Sequence, residues 1–180
     1  MASFSMYNQP MYDPAAVQPM RDELTAAGFD ELLTPEAVDT ALQNHSDETT
    51  LVFINSVCGC AAGSARPGVT MALQHQVIPN QLTTVFAGQD RAAVDRVRQY
   101  YLAEFPPSSP ALALFKNGKA IYMMHRREIE GRSPEDIANR LVKIFAQHCK
   151  RTGPSINAEQ FAQLQHAVAC GSKIPRFAEV

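Results

Sequence analysis

The stretch ALALFKNGKAIYMMH, residues 111–125, constrains this chain more than any other. Two apolar segments flank Asn117-Gly118, the dipeptide that best suits the two-residue turn of an antiparallel hairpin. A helix follows in SPEDIANRLVKIFAQHC, with Ser133 as N-cap, Pro134 behind it and an acidic first turn. Whatever precedes this ββα unit must pack against it.

Upstream, TLVFINS (50–56) reads as a buried strand, because its apolar run is short and rich in β-branched and aromatic residues. AAGSARPGVTMALQHQV (61–77) reads as a helix that Pro67 kinks. LTTVFAGQ is a second strand, ending near Ala87. Asp90 then suits the cap of a helix over RAAVDRVRQYYLAEF, with Val94, Val97 and Tyr101 on its apolar side. PPSSP breaks the chain before the hairpin. A βαβ unit followed by ββα predicts an α/β fold of thioredoxin-like arrangement: a central four-stranded mixed sheet flanked by helices.

An N-terminal helical extension precedes it. Val17, Met20, Leu24 and Ala27 fall at helical spacing before Gly28, and Thr34-Pro35 starts a second helix. Residues 1–13 carry no period and read as a loose arm. The domain therefore spans residues 14–149, and residues 150–180 form an extension with a short helix over NAEQFAQLQHAVACG.

Charge and hydropathy narrow the function classes. The net charge of −2 gives no electrostatic reason to expect nucleic acid or an anionic membrane. No apolar run approaches the roughly 20 residues of a membrane span. The first residues lack the basic start and apolar run of a secretory signal, so the expectation is a cytoplasmic protein. In a reducing cytosol the four cysteines, Cys58, Cys60, Cys149 and Cys170, are expected to be catalytic, metal-binding or free rather than a disulfide framework.

Cys58 and Cys60 sit where the first long strand ends and the next helix begins, the edge at which open α/β sheets place their sites. Helix-start N–H groups and the helix dipole favour a thiolate on Cys58. Gly59 lets the backbone bend between the sulfurs. A disulfide across one intervening residue closes a small, strained ring, which favours the reduced pair or a mixed disulfide on Cys58. A Cys₃His metal set of Cys58, Cys60, His148 and Cys149 is the competing reading, although Cys-x-Cys is tighter than the usual zinc knuckle. Two inert buried thiols are the third. Pro110, directly before the hairpin's first strand, is a candidate cis-proline that leaves a backbone edge for a substrate chain.

With these residues in place, the sequence closely resembles the bacilliredoxins, small thioredoxin-like bacterial proteins. PMRDELTAAGFDEL, NSVCGCAAGSARPGV, VFAGQDRAA, PPSSPALAL, HRREIEG and the His148-Cys149 pair carry the match, from about Ala15 to Cys149. The resemblance implies a thiol–disulfide oxidoreductase in which Cys58 takes bacillithiol from thiolated proteins. Cys60 or a second small thiol then resolves the adduct. It implies no bound cofactor, a bacillithiol-type thiol as co-substrate, and as partners thiolated proteins and the reductase of that thiol. Disulfide reductase or isomerase activity is a further implication. Arg66, Arg126 and Arg127 are candidates for holding the carboxylates of bacillithiol, against a reading as solvated surface arginines. Asn55 is expected to fix the strand end or to bond near the thiolate. Glu128 and Glu130 read as a solvated edge and His125 as a loop or core histidine. The arm and tail depart from the short family members, and the tail adds His166 and Cys170 at helical i, i+4 spacing. Two other uses of the cysteines stay open: a metal or cluster site with Cys149, and a redox-sensing interaction module.

Overall fold

In the computed structural model, which describes residues 9–43, 46–169 and 171–177, the chain begins with α1 (Pro14–Ala26), β1 (Asp30–Glu31) and α2 (Pro35–Leu42). β2 (Thr49–Asn55) leads through a π-helical turn (Ala61–Ala65) into α3 (Arg66–Ala72). β3 (Val77–Ile78), β4 (Gln81–Phe86) and α4 (Arg91–Arg96) follow, and α4 continues as a second π-helical turn (Val97–Tyr101). The hairpin β5 (Ala111–Lys116) and β6 (Lys119–Met124), α5 (Arg126–Ile129) and α6 (Pro134–His148) complete the domain. β7 (Arg151–Thr152) and α7 (Ala158–Ala162) lie in the tail.

The main sheet has five strands in the order β1-β4-β2-β5-β6. β1, β4 and β2 are mutually parallel, and β5 and β6 add antiparallel to them. This order, with helices on both faces, is the thioredoxin arrangement. The sheet exceeds the expected four strands by β1, whose two residues are too few to leave a pattern in the sequence.

β2 is central, and all its residues are buried. Its alternating side chains feed two cores. Leu51 and Phe53, with Leu112 and Leu114 of β5, pack on Leu24, Val69, Leu141 and Phe145 from α1, α3 and α6. Val52 and Ile54, with Ala113 and Phe115, pack on Val38 of α2 and on Val94 and Val97. Such two-sided burial explains why TLVFINS reads as an unbroken apolar run. The hairpin turns at Asn117 and Gly118, both at positive φ (51° and 72°), as the two-residue turn requires.

Several local expectations change. Pro67 does not merely kink a helix. It has no N–H to return and crowds the preceding turn, and that turn is wound as a π-helix. Asp90 does not cap α4 with its side chain. Its carboxylate instead accepts from the Phe86 N–H and pairs with Arg21 of α1 at 2.7 Å. Ser133 does cap α6, in a reciprocal box with Asp136. The described part of the arm is tied down, since the Met11 N–H donates to Gly88 O and Tyr12 bridges to Arg176.

The tail lies along the domain. β7 pairs with β3, Ser155 Oγ donates to Ala27 O, and Ile174 is buried with Val17, Met20, Val57 and Phe86. Its helix stops at Ala162, so His166 is not on a helical face, and Cys170 lies outside the described residues.

α3 packs tightly on α6 at Gly68. A Cβ built there would stand 2.7 Å from Ile137 Cβ and 3.0 Å from Pro134 O, and neither is a flexible side-chain end. Gly68→Ala is expected to destabilise the fold by about 1–3 kcal/mol through overpacking, read as a lower urea midpoint at unchanged slope.

Candidate active site

The site starts from a buried charge. Arg66, the first residue of α3, has no solvent exposure, and neither has the Glu23 side chain of α1 that it meets at 2.7 Å. An arginine cannot lose its water without such partners. Its Nη1 donates to Asn55 Oδ1 and Ser56 O, both at 3.1 Å, and its Nη2 to Ala167 O of the tail at 2.8 Å. Glu23 also meets His166 Nδ1 at 2.7 Å and accepts from the Ala167 N–H at 3.1 Å. Asn55 completes the knot by donating to Met20 O and accepting from the Ser56 N–H. Asn55 therefore fixes the strand end. Arg66 is neither a ligand-holding nor a solvated arginine: it is enclosed, and its donors are spent on the end of β2. The sequence carried a signal for this, since Arg66 falls on the same helix face as the buried Ala62 and Val69.

Ser56, held by this knot, sets the sulfur chemistry. Its Oγ accepts from the Cys58 N–H at 3.4 Å and donates to Cys58 Sγ at 3.2 Å. The Ala61 N–H also points to Cys58 Sγ, at 3.4 Å. Cys60 Sγ lies 2.6 Å from Cys58 Sγ, and both cysteines are free and half-buried. Burial opposes ionisation of Cys58, but hydrogen bonds from Cys60, Ser56 and the Ala61 N–H, with the nearby positive charge of Arg126, outweigh it. The Cys58 thiol is held below its ordinary value. Burial pushes Cys60 up to about 11, and its bond to Cys58 and the charge of that sulfur add to the effect. The first proton thus leaves from Cys58, and Cys60 stays a thiol beside it.

Cys58 opens onto a groove of about 290 Å³ whose lining includes Tyr12, Arg98, Ser109 and Arg126. The Ser109–Pro110 peptide is cis; Pro110 itself is buried, and Ser109 is the residue facing the groove. The loop before it is pinned from two sides, by Arg98 Nη2 donating to Ser108 O and the Arg126 N–H donating to Ser108 Oγ. Arg127 lines a separate depression with Pro106, Pro107 and His125. Glu128 accepts from the His125 N–H and pairs with Arg140, while Glu130 reaches Arg126 at 3.5 Å.

The metal reading does not assemble. Cys149 is buried in the core beside Thr49, at the opposite end of β2 from Cys58, with its thiol raised chiefly by burial. β2 has seven residues, and at about 3.3 Å per residue that separation is on the order of 20 Å. No group of three or more His, Cys, Asp or Glu residues suited to a metal occurs among the described residues. Ser56, Arg98 and Tyr12 were absent from the sequence reading. Ser56 alone had a visible cue, as a hydroxyl two residues before Cys58.

A low-pKa cysteine with a protonated partner at the end of the central strand, in a thioredoxin arrangement, defines a thiol–disulfide oxidoreductase. The family model described as Disulphide isomerase matches residues 12–149. A bacilliredoxin of Salinibacter ruber is 47% identical over 160 residues, covering 89% of this chain and 93% of its own. One of Halalkalibacterium halodurans is 50% identical over 139 residues, covering 77% and 95%. The solved structure of thioredoxin O2 from Arabidopsis thaliana in its oxidized state aligns at a TM-score of 0.47 and 16% identity, covering 69% of this chain and 96% of its own. The chain belongs to the bacilliredoxin family. Among the described residues no helix is long and apolar enough to cross a membrane.

Three outcomes follow for this site. Ser56→Ala moves the Cys58 alkylation midpoint to higher pH, and Cys58→Ser lowers the Cys60 midpoint from about 11 because no thiolate then faces it; iodoacetamide rate against pH reads both. Glu23→Ala leaves Arg66 charged and unpaired in the interior, and the expected loss of about 3–5 kcal/mol appears in denaturant unfolding.

Proposed function

We propose that the chain removes a low-molecular-weight thiol of the bacillithiol type from protein mixed disulfides in the cytoplasm. The observation that carries this reading is the inequality of the two sulfurs: Cys58 is the easier thiolate, and Cys60, 2.6 Å away, keeps its proton.

The Cys58 thiolate attacks the small-thiol sulfur of the mixed disulfide. A bond forms between these two sulfurs, the bond to the protein sulfur breaks, and the substrate protein leaves as a thiolate that takes a proton from solvent. The substrate cysteine returns to its reduced form and Cys58 takes its place in the mixed disulfide, so one disulfide bond is exchanged for another. A second small thiol, as thiolate, then attacks the small-thiol sulfur and frees Cys58, leaving a low-molecular-weight disulfide for its own reductase. Alternatively Cys60 loses its proton, attacks Cys58 Sγ and expels the small thiol, at the cost of a Cys58–Cys60 disulfide. Ser109, next to Pro110, stands beside the groove where a substrate backbone can approach. The same chemistry on a protein disulfide amounts to reductase or isomerase activity, and the proximity of Cys60 favours reduction as the second reading.

Intact-mass measurement tests the assignment. Wild type, Cys58→Ser and Cys60→Ser are each incubated with a peptide carrying a bacillithiol or glutathione mixed disulfide. Cys60→Ser is expected to accumulate one small-thiol adduct and Cys58→Ser none. An adduct that forms equally on Cys58→Ser rules the mechanism out.

A further inference from the structure

The groove at Cys58 is lined by two arginines and by no carboxylate. Its volume, about 290 Å³, lies at the small end of the range for small-molecule sites. Arg126 is exposed and reaches Glu130 only at 3.5 Å. Arg98 is in a different position. It projects from the π-helical turn after α4, its Nη2 reaches Ser108 O at 3.3 Å, and its Nε, out of contact with solvent, has no hydrogen-bond partner among the described residues. Burial lowers its pKa, and the charge of Asp95 opposes this only at a distance. A guanidinium offers five donors in a planar fork and does not give up its proton in proteins, so its charge favours an anion where the side chain meets the groove. Among the described residues lining the groove, the Cys58 thiolate is the one anion and no carboxylate is present. The alternative role for Arg98, pinning the Ser108 carbonyl, uses Nη2 on a neutral acceptor and leaves the guanidinium charge without a carboxylate in the groove among the described residues.

Resting on the thiol-removal reading above, we propose that Arg98 and Arg126 form a carboxylate-recognition subsite beside Cys58, through which the enzyme selects mixed disulfides whose small-thiol half is anionic. The small thiol seats in the groove with its carboxylate on Arg98 and its sulfur at Cys58. Arg126 adds positive potential to both the carboxylate and the attacking thiolate. The protein half of the disulfide points outward and leaves. Arg66, which is enclosed, takes no part. Arg98 is thus a specificity-determining residue rather than a participant in bond exchange.

Three peptide mixed disulfides separate this from a structural role: with glutathione (anionic), 2-mercaptoethanol (neutral) and cysteamine (cationic). Wild type is expected to react in that order of rate. Arg98→Gln slows the glutathione adduct by about 10- to 100-fold, the worth of a charged hydrogen bond. It slows the 2-mercaptoethanol adduct far less, so that the glutathione-to-2-mercaptoethanol rate ratio falls by about that factor with the Cys58 alkylation midpoint unmoved, and Arg98→Lys recovers part of the ratio. Equal slowing of both adducts, or no slowing, overturns the subsite while thiol removal stands. Wild type that takes up none of the three overturns both. Should Arg98→Gln not fold, salt decides on wild type alone. Raising ionic strength from about 0.05 to 0.5 M must slow the glutathione adduct and spare the neutral one, since only the former relies on screened charge; an equal response refutes the subsite.

Discussion

A fully enclosed arginine has to have its charge answered inside the protein, and much of this active site is arranged around how Arg66 meets that condition. Glu23 supplies the counter-charge from α1, Asn55 and the Ser56 carbonyl supply acceptors from the end of β2, and the Ala167 carbonyl closes the set from the tail. Breaking any one partner leaves a desolvated donor or charge, so these elements hold one another in register. The tail is therefore a structural part of the molecule: His166 and Ala167 satisfy the Glu23 carboxylate that satisfies Arg66.

The consequence for chemistry runs through one residue. Ser56 has its carbonyl fixed by Arg66 and its N–H by Asn55, which leaves its hydroxyl aimed at Cys58. Two cysteines of identical intrinsic acidity thereby become different. One sulfur collects donors from a hydroxyl, a backbone N–H and the other thiol, while the other sulfur is left to burial and a like charge. This asymmetry separates a thiol that ionises easily from one that keeps its proton. It arises at the strand-to-helix junction, where the Ala61 N–H is shared between Cys58 O at 3.1 Å and Cys58 Sγ at 3.4 Å.

The fold was legible because its signals are local and periodic. The Asn117-Gly118 turn, the Thr34 and Ser133 caps and the unbroken apolar run of β2 each report their own neighbourhood. The failures came where a side chain's partner is distant in sequence. Asp90 sits where a cap belongs, yet Arg21, 69 residues earlier, claims it. β1, β3 and β7 have two residues each, below the length at which any period exists. The tail's helical spacing extended past Ala162, but contacts to Glu23 and Arg66 hold the chain in a non-helical path.

The site divides the same way. The Cys-Gly-Cys spacing at a strand end, and the proline before β5, pointed to this edge of the sheet and left thiol exchange and metal binding both open; the burial of Cys149 beside Thr49, at the other end of β2, separated it from the pair. Which arginine belongs to the groove was decided only in three dimensions. Arg66 lies eight residues from Cys58 and points into the core, whereas Arg98 lies 40 residues away and is brought to the sulfur because α4 ends beside the loop entering β5. Helical periodicity can say that an arginine is on a face. Whether that face meets solvent, a buried carboxylate or a reactive thiol depends on packing between elements far apart in the chain.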